Sequence, residues 1–167
     1  MFIKAAARED AEQALASYWD GQFPVDPFDI AEQMGIHAQS VPLKPNLSGA
    51  IIADESGISI FVQEADNFGR QTFTCAHELG HFHERKRKND LEYSFTEERV
   101  PPEELERTRR GEFDPKEFYA DEFAANLLMP EEEFRKTFKK YGSDHVAAAK
   151  FGVNPAAIRL RRKRLGI

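Results

Sequence analysis

The stretch Phe73–Glu84, FTCAHELGHFHE, holds three of the chain's five histidines and two glutamates inside a run whose apolar residues recur at helical spacing. Residues three and four apart share a helix face. Thr74, His77, Glu78, His81 and Arg85 therefore gather on one side, while Cys75, Leu79 and Phe82 form an apolar stripe opposite. HELGH conforms to H-E-x-x-H, in which two imidazoles one turn apart each give a ring nitrogen to one Zn²⁺ at about 2.0–2.1 Å. Glu78, one position on, is set beside such a metal and suits a general base acting on water acidified to a pKa of about 7. A pair of solvent-facing histidines is the plainer reading, but solvated helix faces are more often built from Lys and Glu.

A catalytic zinc needs a third protein ligand and an open position. The arrangement H-E-x-x-H-x-x-G-x-x-H is excluded, because Glu84 and Arg87 stand where it requires Gly and His. His83 lies about 200° round the helix from His81 and is read as structural or solvent-facing. The better candidate lies in EFYADEFAANLLMP, residues 117–130. Glu117 can be the third ligand. Asp121, one turn later on the same face, can accept the free ring N–H of a ligating histidine and fix its tautomer. Without a metal this acid pair would be a solvated helix edge.

Working outward, 167 residues with 41% hydrophobic and 31% charged side chains describe one folded domain, or one with a small appendage, rather than a disordered chain. The amino terminus, MFIKAAARED, lacks the apolar core of a secretory signal, and no run approaches the roughly 18 apolar residues of a membrane span. Cys75 is the single cysteine, so an intramolecular disulfide is impossible. A cytoplasmic protein without membrane partners is expected. On the apolar stripe, Cys75 reads as a small core filler rather than a ligand.

Two helices are expected first, over Ala5–Tyr18 and then from an Asp26 N-cap and Pro27 to a Gly35 stop. The runs IHAQSVPL, LSGAIIAD and GISIFVQ are short, apolar or β-branched, and separated by turn residues, which predicts a small antiparallel sheet of about three strands. Little strand is expected after Gln71. The segment Lys86–Lys116 reads as a charged connector with a loop and one short helix at most, the alternative being a lid over the site. Helices follow over Pro115–Leu128 and Pro130–Tyr141. The fold class is α+β.

The net charge of −6 is unevenly placed: Arg135–Ile167 carries ten Lys or Arg against the single acid Asp144. Its end, HVAAAKFGVNPAAIRLRRKRLGI, reads as helix, Gly152-Val153-Asn154 turn and a second helix bearing Arg159, Arg161, Arg162, Lys163 and Arg164, which is helix-turn-helix grammar. A nucleic-acid surface is one reading. The favoured one is a helix pair packed on the rest, Ile158 and Leu165 inward. The organisation expected is thus a catalytic-type domain over residues 1–141 and a basic helical subdomain over 142–167.

RQTFTCAHELGHFH followed by EFYADEFAANLLMP resembles the ImmA/IrrE family of zinc metallopeptidase-like proteins. The resemblance implies a gluzincin-like zincin core with His77, His81 and Glu117 as Zn²⁺ ligands and Glu78 as catalytic base. It also implies an endopeptidase acting on a regulatory partner, such as a helix-turn-helix repressor or antitoxin, in a stress-response, phage or other mobile-element, or toxin–antitoxin system. GISIFVQ would then be the edge strand beside the cleft, available to an extended peptide. The rival expectation is a DNA- or partner-binding regulator whose metal site is structural or inactive. For an oxyanion-stabilising donor, Tyr93, Tyr119 and His145 are available by type only.

Overall fold

The computed structural model describes residues 2–91, 95–100 and 112–167. Helix α1 spans Ile3–Tyr18 and buries Ala6, Ala7, Ala11, Ala14 and Leu15, a mostly small-residue face that lets a neighbouring helix approach closely. Helix α2, Pro27–Gln33, begins as its sequence indicates: the Asp26 carboxylate accepts the N–H groups of Phe28 and Asp29 at 2.9 and 3.3 Å. It stops at Gly35, whose φ of 79° lies in the left-handed region that glycine enters without strain.

Strands β1 (His37–Val41), β2 (Gly49–Asp54) and β3 (Gly57–Gln63) occupy the three predicted runs. Their pairing departs from the all-antiparallel expectation. The sheet order is β1-β3-β2-β4, with β1 parallel to β3 and the other pairs antiparallel. The reason lies at Gln63, buried at the end of β3. Its side-chain amide donates to the carbonyls of Leu43, Lys44 and Leu47 at 3.1–3.2 Å and accepts the N–H of Leu43, holding residues 42–48 in a passage across the end of β3. Strand β3 is thereby central, so GISIFVQ is not the free edge anticipated for a bound peptide. The fourth strand, β4 (Phe95–Arg99), lies within the segment read as a connector and pairs with β2, Gly49 opposite Arg99. The rest of that segment, residues 92–94 and 101–111, lies outside the described residues.

Helix α3, Phe68–Arg87, is capped by Asn67, which accepts the N–H of Arg70 at 2.9 Å, and closes on Arg85, Lys86 and Arg87, cations placed favourably at the negative end of the helix dipole. Helix α4, Pro115–Leu128, starts at Asp114, whose carboxylate accepts the N–H groups of Lys116 and Glu117. Helices α5 (Glu131–Tyr141), α6 (Asp144–Phe151) and α7 (Pro155–Leu165) complete the chain. The architecture is α+β: seven helices and a small mixed sheet among the described residues.

The last two helices share the common core instead of building their own. Phe151 and Ile158 are fully buried in it, and Phe151 meets Phe23 edge-on at 5.3 Å and stacks on Phe134 at 5.7 Å. The basic helix is also less cationic outward than its sequence suggests. Arg161 is buried, donating to the Met129 carbonyl at 2.9–3.1 Å and to Asn126 at 3.0 Å, so it closes the C-terminal end of α4. Arg164 pairs with the buried Glu122 at 2.6 Å and Arg162 with Asp144 at 3.1 Å. Arg159 and Lys163 remain exposed.

Candidate metal centre

Two glycines set the approach of the elements that build the centre. A Cβ at Gly80 would stand 2.8 Å from Ala120 Cα and 3.0 Å from its carbonyl oxygen, so the glycine inside HELGH lets α3 and α4 touch backbone to backbone. Ala120 lies between Glu117 and Asp121, and that contact delivers both acids to the histidines. A Cβ at Gly49 would meet Thr74 Cγ2 at 2.4 Å and the Phe61 carbonyl oxygen at 2.9 Å, with Glu78 Oε1 3.7 Å away. Helix α3 therefore seats its chemical face directly against the start of β2.

With the helices so placed, His77 Nε2 lies 3.1 Å from His81 Nε2 and 3.2 Å from Glu117 Oε2, and His81 Nε2 lies 3.0 Å from Glu117 Oε1. Among the described residues this is the one group of three or more His, Cys, Asp and Glu side chains whose ligand atoms converge. Two ligands of a tetrahedral zinc, each at about 2.0–2.1 Å, stand roughly 3.3 Å apart. The three separations fit that edge. The donor chemistry fits as well. His77 Nδ1 donates to Asp121 Oδ1 at 2.8 Å, which leaves Nε2 with its lone pair directed at the other two ligand atoms. The three converging ligand atoms make a candidate cation site. Both histidines are buried, whereas the Glu117 side chain keeps 25% exposure, so the cluster is reached from solvent on that side.

The electrostatics follow from the same contacts. Burial pushes the Glu117 carboxyl pKa up, but hydrogen bonds and charge from His77 and His81 outweigh it and hold the group well below the usual carboxylate range. Asp121 is likewise held down against burial, by His77 and then by Arg99. Glu78 is fully buried beside His77.

Arg99 is the residue that sequence reasoning missed. Its guanidinium, 11% exposed, donates to Asp121 Oδ1 at 3.2 Å, lies against His77 Nδ1, and sits 5.6 Å from the centre of the Phe73 ring. The only available signal was the short run Phe95–Arg99, FTEER, masked by charged neighbours.

The other anticipated residues are placed elsewhere. Tyr119 donates its hydroxyl to Asp10 on α1, so it is turned away from the cluster. His145 is exposed on α6, and Tyr93 lies outside the described residues. His83 stacks on Phe123 with ring centres 4.7 Å apart, and burial pushes its pKa down to about 4, a structural imidazole as expected. Cys75 is fully buried, and burial raises its thiol pKa well above the ordinary value.

No curated protein matches the chain significantly. The model of the peptidase M78 family, described as the IrrE N-terminal-like domain, matches residues 31–163, more than half of the chain and all of the metal centre. That match supports a metallopeptidase type of function, and with the convergent His77, His81 and Glu117 it leads to one conclusion: the chain belongs to the IrrE N-terminal-like family of metallopeptidase domains.

Proposed function

We propose that this protein is a zinc-dependent endopeptidase that cuts a regulatory protein partner, such as a helix-turn-helix repressor or antitoxin. The observation carrying the chemistry is the set of 3.0–3.2 Å separations among His77, His81 and Glu117, with buried Glu78 on the adjoining turn. His77, His81 and Glu117 would hold the ion, and Asp121 would keep His77 in the tautomer that presents Nε2. Bound there, zinc supplies a Lewis acid that polarises a carbonyl and acidifies water. Glu78 takes the proton from the attacking water on a carboxylate oxygen and passes it to the amide nitrogen as the C–N bond breaks. Arg99 fixes Asp121 in place. The regulatory partner, and a setting in a stress-response, mobile-element or toxin–antitoxin system, rest on the family resemblance.

Zinc content and peptide cleavage, measured together on wild type, Glu117→Ala and Glu78→Gln, test this reading. The expected result is about one zinc per chain in wild type and Glu78→Gln, loss of zinc in Glu117→Ala, and cleavage by wild type alone. Zinc retained in full by Glu117→Ala would remove the ligand assignment. Zinc with no cleavage of any candidate partner would favour instead a regulator whose metal is structural.

A further inference from the structure

Between the start of α1, helix α5 and the end of α7 the described residues leave a cavity of about 400 Å³, within the roughly 300–1,000 Å³ of small-ligand sites. Lys4, Arg8, Arg135, Arg161 and Arg164 line it, against the single acid Glu131. Arg135 is bound to Glu131 at 2.8 Å and Arg164 to buried Glu122 at 2.6 Å, whereas Arg8 reaches Glu12 only at 3.8 Å, with both side chains more than half exposed. Lys4 has no ion pair among the described residues. Arg161, 2% exposed, has neutral partners alone, the Met129 carbonyl and the Asn126 side chain, and meets them with Nε and one terminal nitrogen. Burial pushes its pKa down; Glu122 and Glu131 pull it up, and Arg164 and Arg135 lower it again. Lys4 and Arg161 thus lack a counter-charge. The first turn of α1, which includes Lys4 and Ala5, has neither a capping side chain nor an acid, and so adds the positive end of a helix dipole to the same wall.

We propose that this cavity binds a nucleoside monophosphate, its phosphate held among the cations and its base stacked on Phe2. Charge decides the class. A phosphate monoester carries about −1.5 to −2 at neutral pH, which is what Lys4 and Arg161 leave uncompensated. Phe2, 86% exposed, lines the same space and offers a ring on which any base can stack. Leu165 and Ala5 add an apolar edge that a bare inorganic phosphate leaves unused. Of the five cations that suggested a nucleic-acid surface in the sequence, Arg161 and Arg164 line this cavity and Arg159, Arg162 and Lys163 do not, which favours a compact ligand over a polymer backbone. The site is separate from the metal centre, since none of His77, Glu78, His81 and Glu117 lines it. It goes beyond the peptidase reading and does not depend on it.

The test titrates the full chain with AMP, adenosine, ribose 5-phosphate and a short oligothymidylate, by calorimetry for affinity and methyl NMR for place. AMP should bind saturably with shifts at Ala5 and Leu165, and adenosine, which lacks the phosphate, should bind roughly tenfold or more weakly. Phe2→Ala should weaken AMP about fivefold or more and leave ribose 5-phosphate unchanged. Lys4→Glu combined with Arg8→Glu should lower AMP affinity roughly tenfold or more. Both side chains are exposed, and acids near the start of α1 suit its dipole, so that loss would not be a loss of folding. Equal affinity for AMP and adenosine, unchanged AMP affinity in either variant, or shifts confined to methyls beside the metal ligands, such as Ala120, would each overturn the proposal. So would an oligothymidylate that binds where AMP does not, which would make this face a nucleic-acid surface instead.

Discussion

Removing the Asp121 carboxylate takes away the acceptor of the His77 Nδ1 proton and the partner of Arg99. Asp121→Ala should therefore weaken zinc binding by roughly 10–100-fold, with Asp121→Asn closer to wild type, in competition with a chromophoric chelator. Cys75 gives a second expectation at this scale. Burial, with the charges of Asp26 and Glu78 acting the same way, keeps its thiol protonated. Iodoacetamide should leave the native protein unmodified and label it only as it unfolds; rapid native labelling would contradict the packing. These residues were legible because ligand spacing is a local property of a helix. His77, His81, Glu117 and Asp121 each follow from 3.6-residue periodicity and the chemistry of their side chains. Arg99 does not, because its position depends on β4 pairing with β2, in the register that sets Arg99 opposite Gly49.

Gly80 bears on how two elements meet. In an isolated helix, Gly→Ala stabilises by about 1 kcal/mol. Here the added methyl meets Ala120 backbone at 2.8–3.0 Å, and overpacking of that kind costs about 1–3 kcal/mol. Gly80→Ala should lower the urea midpoint and also weaken zinc binding, since α4 carries Glu117 away with it. A stabilised Gly80→Ala would show that the helices have room to spare. Three helices meet again at Asp10 of α1, which accepts from Arg87 of α3 at 2.8–2.9 Å and from the Tyr119 hydroxyl of α4. Burial raises the Asp10 pKa, but the bonds from Arg87 and Tyr119 outweigh it and leave it lower than that of an ordinary aspartate. The folded state therefore prefers the ionised carboxylate. Its stabilisation is complete above the unfolded pKa and is lost as pH falls through the lower folded one. Asp10→Asn should lose about 1–3 kcal/mol at neutral pH, with the deficit shrinking in urea titrations as acid protonates the carboxylate. A deficit independent of pH would mean that shape, not charge, joins the helices.

At the scale of the whole molecule, the C-terminal pair packs its buried residues into the same hydrophobic cluster as the other helices. Phe151→Ala, which empties space between Phe23 and Phe134, should cost about 3–5 kcal/mol in a single unfolding transition. Two separate transitions would show that residues 142–167 unfold as a subdomain of their own. The sequence by itself determined the α+β class, the helix boundaries at Asp26, Gly35 and Gly152, and the candidate ligand cluster, because caps, periodicity and donor chemistry act over a few residues. Only the tertiary structure decided that β1 runs parallel to β3, that β4 exists and brings Arg99 to the metal centre, and that Arg161 faces inward. Each of these depends on contacts between residues far apart along the chain, through the Gln63 amide, the β2 edge and the Met129 carbonyl, and no local pattern of side chains encodes a partner at that distance.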